Sequence, residues 1–191
     1  MLDSVIFTAA PLVAVGGTAA VLSLLRVRNG GSPHTFWTTF AAHLAVLFGL
    51  GLVANLALKV ALAMLGRRCG FPRPAHLLRP SPCPGGDCTA QRQDCRQCGL
   101  WTRRGGPLQG RARLGMPSGH AQVVLLCGTM LLAEVSGSPL LYLIALVMLT
   151  LVAASVLWHR AATQCHTPLQ ITAGALIGTL CAPLATFLLQ R

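Results

Sequence analysis

Residues 140–157 read LLYLIALVMLTLVAASVL, eighteen consecutive positions without a charge. That length approaches the roughly 20 apolar residues an α-helix needs to cross a bilayer. The run ends in WHRAATQCHTPLQ at 158–170, and a second apolar run extends from Pro168 to Leu189. Arg160, His166 and Gln170 therefore stand between two membrane-like segments. Lipid-facing sequence has no use for them.

Three more apolar runs lie upstream, from about Val5 to Leu25, Phe36 to Leu65 and Ser118 to Val135. Ser136-Gly137-Ser138-Pro139 is a turn signal between the third and fourth runs, and the stretch from Arg28 to Pro33 is another between the first and second. The expected fold is all-α: a polytopic transmembrane helix bundle of about five spans, forming a single membrane domain over 1–191. A long Arg/Cys-rich loop, 66–116, separates the second and third spans and is a candidate lid over a site. No internal repeat is visible. The opening residues MLDSV lack the positive flank of a cleavable signal peptide, so the first span is expected to remain as a helix.

Composition points the same way. Of 191 residues, 53% are hydrophobic and only 10% charged, against about a quarter charged in soluble domains. The formal charge of +11 comes from fourteen arginines and one lysine set against four acids. Ten of the arginines fall between Arg67 and Arg113, in the one long polar segment. A nucleic-acid interface would show them on an exposed face with interleaved aromatics, and none is expected. The planar, permanently charged guanidinium suits bidentate phosphate binding. The expected partners are membrane lipids and a phosphate-bearing lipid substrate.

Span parity brings separate clusters together. The second span ends on the membrane face where the basic loop begins, the third starts there, and the fourth returns to it. The basic loop, Pro117 to His120 and Arg160 to His166 are thus expected at one mouth.

Each cluster has a chemistry. Pro117-Ser118-Gly119-His120 is a helix-start signal, and the free N–H groups at a helix N-terminus bind anions. His120 would sit in the first turn beside the anion. His166 and Gln170, four apart, share a helix face. The glutamine carbonyl can accept Nδ1–H and leave Nε2 as a nucleophile able to form a phosphohistidine. Arg160 would neutralise the phosphoryl oxygens. Lys59 is an ionisable residue inside an apolar helix, a functional candidate by default. Each also has a plain structural reading: a helix cap at Ser118, a helix-end histidine at 166, and snorkelling arginines at 67, 68 and 160.

Together, Arg73-Pro74, the PSGH at 117–120 and Arg160 with His166 after five intervening residues resemble the type 2 phosphatidic acid phosphatase superfamily of integral membrane phosphatases. The resemblance covers about residues 55–180. It implies that His166 is the nucleophile and His120 the general acid. It also implies that Arg73, Arg160, Ser118 and the Gly119 amide hold phosphate, with no metal or other cofactor.

Two positions depart from the family pattern. Thirteen residues rather than six separate Lys59 from Arg73, so either Lys59 lies before a two-turn insertion or Arg67 takes the lysine's place. Gln170 stands where aspartate is usual. HTPLQITAGALIG and GMPSGHAQ resemble the dolichyl diphosphatase variant of these motifs, which implies a polyprenyl diphosphate or related lipid phosphate as substrate. Three other readings are a phosphatidate or lysophosphatidate phosphatase, an inert lipid-binding homologue, and a small channel or transporter, which the near absence of polar span residues beyond Lys59 disfavours.

Cys127 and Cys181 fall within spans and read as packing residues, and Cys165 reads as filler. Cys69, Cys83, Cys88, Cys95 and Cys98 decorate the loop, where they offer zinc ligands or, in an oxidising compartment, disulfides. The basic loop favours a cytoplasmic face, whereas its cysteines and the resemblance favour a lumenal site, with the protein in the endoplasmic reticulum membrane. The lumenal face is preferred because arginines recruited to phosphate weaken the charge rule.

Overall fold

Sixteen residues make the central helix, Gly119–Glu134, about 24 Å long. That is short for a bilayer span, and its surroundings explain why. In the computed structural model, which describes residues 2–29, 32, 35–68, 116–162 and 166–190, this helix is packed by protein on most sides. The elements in chain order are α1 (Leu2–Arg28), α2 (Thr35–Phe48), a π-helical turn (Gly49–Val53), α3 (Ala54–Arg68), α4 (Gly119–Glu134), α5 (Pro139–Ala162) and α6 (Pro168–Gln190). Helix α4 touches α1, α5, α6 and the π turn, and it buries Ala121, Val123, Val124, Leu126, Cys127 and Met130. Meeting little lipid, it can end on polar groups held by its neighbours.

Among the described residues, four helical stretches are long and apolar enough to cross a membrane, and α4 is a fifth, shorter apolar helix. The expected helical bundle is therefore what is observed. The second expected span is one helical rod interrupted by the π turn. It continues to Arg68, so the first residues of the expected loop are helical. Arg73, Cys165, the five loop cysteines and the rest of the candidate lid lie outside the described residues.

Close backbone approach holds the centre together. Lipid tails give apolar helices no hydrophobic reason to associate, so small residues that let backbones touch become decisive. On α6, a Cβ at Gly174 would lie 2.3 Å from the Ser118 carbonyl oxygen, and one at Gly178 would lie 2.1 Å from that of Gln122. Ala182 and Ala185 continue the small face and are buried against α1, α2 and α4. Helix α5 presents Leu143, Val147, Leu151 and Trp158 outward and packs on α4 through Ala153 and Val156 beside Val124.

Polar side chains other than Lys59 also lie within the spans. Ser23 Oγ donates to the Ala19 carbonyl at 2.7 Å. His43 Nδ1–H donates to the Thr39 carbonyl at 2.7 Å, with Ser23 Oγ 3.1 Å away. Such side chains are tolerated within a membrane because each finds a partner inside the bundle.

Candidate active site

The turn ahead of α4 forms the floor of the site. Ser118 occupies the N-cap position with φ −70° and ψ 113°. Its N–H donates to the Gln170 carbonyl at 3.0 Å, and its own carbonyl accepts the Gln122 N–H at 3.0 Å. Its hydroxyl makes no capping bond. That oxygen is buried and has no hydrogen-bond partner among the described residues. Leaving a buried hydroxyl unsatisfied costs about 1–3 kcal/mol, so the cap reading fails locally and Ser118 Oγ is available to an oxyanion. Glycine follows for a steric reason as well: a Cβ at Gly119 would stand 3.2 Å from Asn55 Oδ1.

Arg160 ends α5 but does not reach outward. It is 1% exposed, and its Nη2 donates to His120 Nε2 in the first turn of α4. This inward turn, next to the outward Trp158, distinguishes Arg160 from a snorkelling side chain. The His166 N–H donates to the Arg160 carbonyl at 3.3 Å. His166 is buried, and its Nδ1 faces Gln170 Oε1 at 3.3 Å.

Gln170 has two roles. Thr167 Oγ1 accepts the Gln170 N–H at 3.3 Å, and Gln170 Oε1 accepts the Thr167 N–H at 3.2 Å. This is a reciprocal capping box at the start of α6, with Pro168 at the first helical position, where its missing N–H costs nothing. One amide oxygen thus secures the helix start and lies within reach of the histidine. The signal was present in the sequence as Thr-Pro-Leu-Gln, which the reading of Gln170 as a histidine partner alone passed over.

The roles separate by mutation. Thr167→Ala is expected to cost about 1 kcal/mol of stability and to change turnover by less than about threefold. Gln170→Ala should cost about the same stability and, by freeing His166, about 10²-fold or more in turnover. Gln170→Asp keeps an acceptor near both partners and should retain or raise turnover. Thermal unfolding in detergent alongside phosphate release separates the three variants.

Lys59 is half-buried on α3, one turn beyond Asn55. Asn55 Nδ2 donates to Gln122 Oε1 at 2.7 Å and lies 3.4 Å from the Pro117 carbonyl. Residues four apart share a helix face and differ in height by about 6 Å, so Lys59 rises from the face that meets the Ser118 turn. The backbone of Arg67 lies two further turns along α3. The structure therefore brings Ser118, Gly119, His120, Arg160, His166 and Gln170 together, with Lys59 on the adjoining helix face. Asn55 and Gln122, to which the sequence alone assigned no role of their own, connect the two sides. Among the described residues, no three His, Cys, Asp or Glu side chains are grouped to hold a metal ion.

Comparison with known families gives one match: residues 44–191 match the PAP2 superfamily. Neither a curated protein nor a solved structure matched the chain. The matched region spans most of the sequence and holds every residue of the cluster. The chain belongs to the PAP2 superfamily, whose members are phosphatases acting on lipid phosphates in membranes.

Proposed function

We propose that this PAP2-superfamily phosphatase hydrolyses a polyprenyl diphosphate, or a related lipid phosphate, through a phosphohistidine at His166. The observation that carries the reading is the cluster itself. Two histidines, a buried arginine and a buried serine hydroxyl with no partner among the described residues meet where α4 and α6 begin.

In this reading substrate phosphate takes the place of the Arg160–His120 contact, which leaves Arg160 to the phosphoryl oxygens and a protonated His120 to the leaving group. With Nδ1–H held toward Gln170 Oε1, the Nε2 lone pair of His166 attacks phosphorus. The bond from phosphorus to the leaving oxygen breaks as His120 passes it a proton. His120 then takes a proton from water, which attacks the phosphohistidine and breaks the P–N bond to release phosphate. Arg160, the Ser118 hydroxyl and the Gly119 N–H hold the equatorial oxygens, a positioning and charge-neutralising task that dominates phosphoryl transfer. No step calls for a metal ion or other cofactor.

Lys59 is the better candidate for the remaining cation, since the Arg67 backbone stands about 12 Å further along α3. Arg73 keeps the phosphate-binding role that the motif implies. Arg160→Lys should lower turnover by about 10²-fold, because a lysine cannot reproduce bidentate contact with the phosphoryl oxygens. The polyprenyl assignment rests on the GMPSGHAQ and HTPLQ motifs, and the cysteine-bearing loop supports a lumenal site.

The test is phosphate release by the purified protein in detergent, with a chelator present, from a polyprenyl diphosphate, a polyprenyl monophosphate and phosphatidate. Release fastest from the diphosphate supports the reading. Preference for phosphatidate reassigns the substrate, and release that requires added divalent metal sinks the metal-free mechanism. A folded protein that releases nothing from any of them is an inert homologue.

A further inference from the structure

A hydrogen-bonded relay runs from the middle of the second span to the turn ahead of α4. It begins at the π turn, where the Ala54 N–H reaches back to the Gly49 carbonyl rather than making the α-helical bond to Leu50. Gly51 admits α4 beside this turn, since a Cβ there would lie 2.9 Å from Val123 Cγ2. Single π turns inside α-helices recur at functional sites. Here the Leu50 carbonyl, without its α-helical donor, accepts a hydrogen bond from Gln122 Nε2 at 2.8 Å. Gln122 Oε1 accepts from Asn55 Nδ2 at 2.7 Å, and the same nitrogen lies 3.4 Å from the Pro117 carbonyl. Gln122 is 1% exposed and Asn55 is 5% exposed.

The direction of the relay is fixed. A backbone carbonyl can only accept, so Gln122 must present its NH₂ to Leu50 and its oxygen to Asn55. Asn55 must then donate as well. Neither amide can flip without setting two acceptors against each other. Gly178 closes the fourth side, its Cα pressed against the Gln122 backbone.

We propose that Gln122 and Asn55 are positioning residues that hold the Pro117–Gly119 turn in the geometry that binds phosphate, by tying it to the π-turn carbonyl of Leu50. The role rests on the phosphatase reading above. It differs from general core packing because the relay meets the turn one residue before the Ser118 hydroxyl. Two uncharged side chains that touch no reacting atom thereby set where that oxygen and the Gly119 N–H point.

Two variants test it. Gln122→Leu keeps the shape and removes the bonds to Leu50 and Asn55, while Asn55→Ala removes those to Gln122 and Pro117, keeps the Gln122–Leu50 bond, and serves if the first fails to fold. Orthovanadate, which mimics the five-coordinate phosphoryl group in transfer, is the probe. Either variant should lower kcat by about tenfold or more and raise the vanadate inhibition constant by a similar factor, alongside the fall of roughly several degrees in unfolding temperature that an unsatisfied buried amide brings. Lost folded protein alone would lower kcat and leave that constant untouched, so such a result overturns the proposal.

A second readout does not depend on catalysis. Backbone hydrogen exchange over 117–121 should quicken in the variants and stay unchanged over α5. If the wild-type protein neither turns over lipid phosphate nor binds vanadate, the phosphatase reading fails and exchange alone judges the relay. Unchanged exchange over 117–121 in a folded variant then overturns it.

Discussion

His166→Asn is expected to lower phosphate release by at least about 10⁴-fold while leaving the helices folded. Removing a covalent nucleophile takes away the reaction path itself, and losses of this size are measured when such groups are deleted. The asparagine can still lie near Gln170 and keep the start of α6 in place, where the backbone bond from residue 166 to Arg160 and the Thr167–Gln170 cap are untouched. His120→Asn should behave differently. It removes a proton donor, worth about 10²–10⁴-fold, and its loss depends on the leaving group. An aryl phosphate, whose leaving oxygen needs no proton, should recover most of the His120→Asn rate and none of the His166→Asn rate. Comparing both variants on the lipid and the aryl substrate checks the two assignments at once. Equal rescue of both would exchange or erase the proposed roles.

The largest expected effect on stability falls at a residue with no side chain. Gly178→Val places a Cβ where the Gln122 carbonyl oxygen now stands only 2.1 Å away. That neighbour is backbone in the most enclosed helix and cannot swing aside, so α4 and α6 must separate. Overpacking of this kind costs about 3 kcal/mol, and at about 2–4 °C per kcal/mol for a chain of this size the unfolding temperature should drop clearly. The separation also pulls the Ser118 turn from Gln170, so activity should fall before the protein unfolds. Gly17→Ala is the control: a Cβ there meets nothing within 4 Å, and alanine favours the helix by up to about 1 kcal/mol. Gly128 lies between the two, since the atoms crowding it belong to the movable Leu149 side chain. The three glycines should rank in that order by thermal unfolding in detergent.

Much of the bundle was legible because membrane spans are written in long apolar runs. The run at 140–157 became α5 (Pro139–Ala162), and the run from Pro168 became α6. Parity alone placed the PSGH turn and the Arg160–His166 segment on one face, since each span reverses the chain. The π turn at Gly49–Val53 was not legible, because a one-residue change in helical register leaves apolar composition intact. Nor was the Asn55–Gln122 bond, which joins residues 67 positions apart in sequence. Gln122 closes the GMPSGHAQ motif at 115–122, but nothing in the sequence names its partner. The pairing of Gly174 and Gly178 with the carbonyls of Ser118 and Gln122 likewise exists only once two helices are side by side. Spacing showed that small residues were present, and packing showed what they admit.

The central claim is a covalent phosphoryl group on one histidine, and trapping it is the most direct test. The purified protein would be mixed with a polyprenyl diphosphate radiolabelled in its terminal phosphate, quenched in alkali during turnover, and digested for peptide mapping. The account predicts label on His166, stable in alkali and lost in acid as a P–N bond should be, and absent from His166→Asn. Rapid turnover with no label on His166, or with an acid-stable label on another residue, would contradict it.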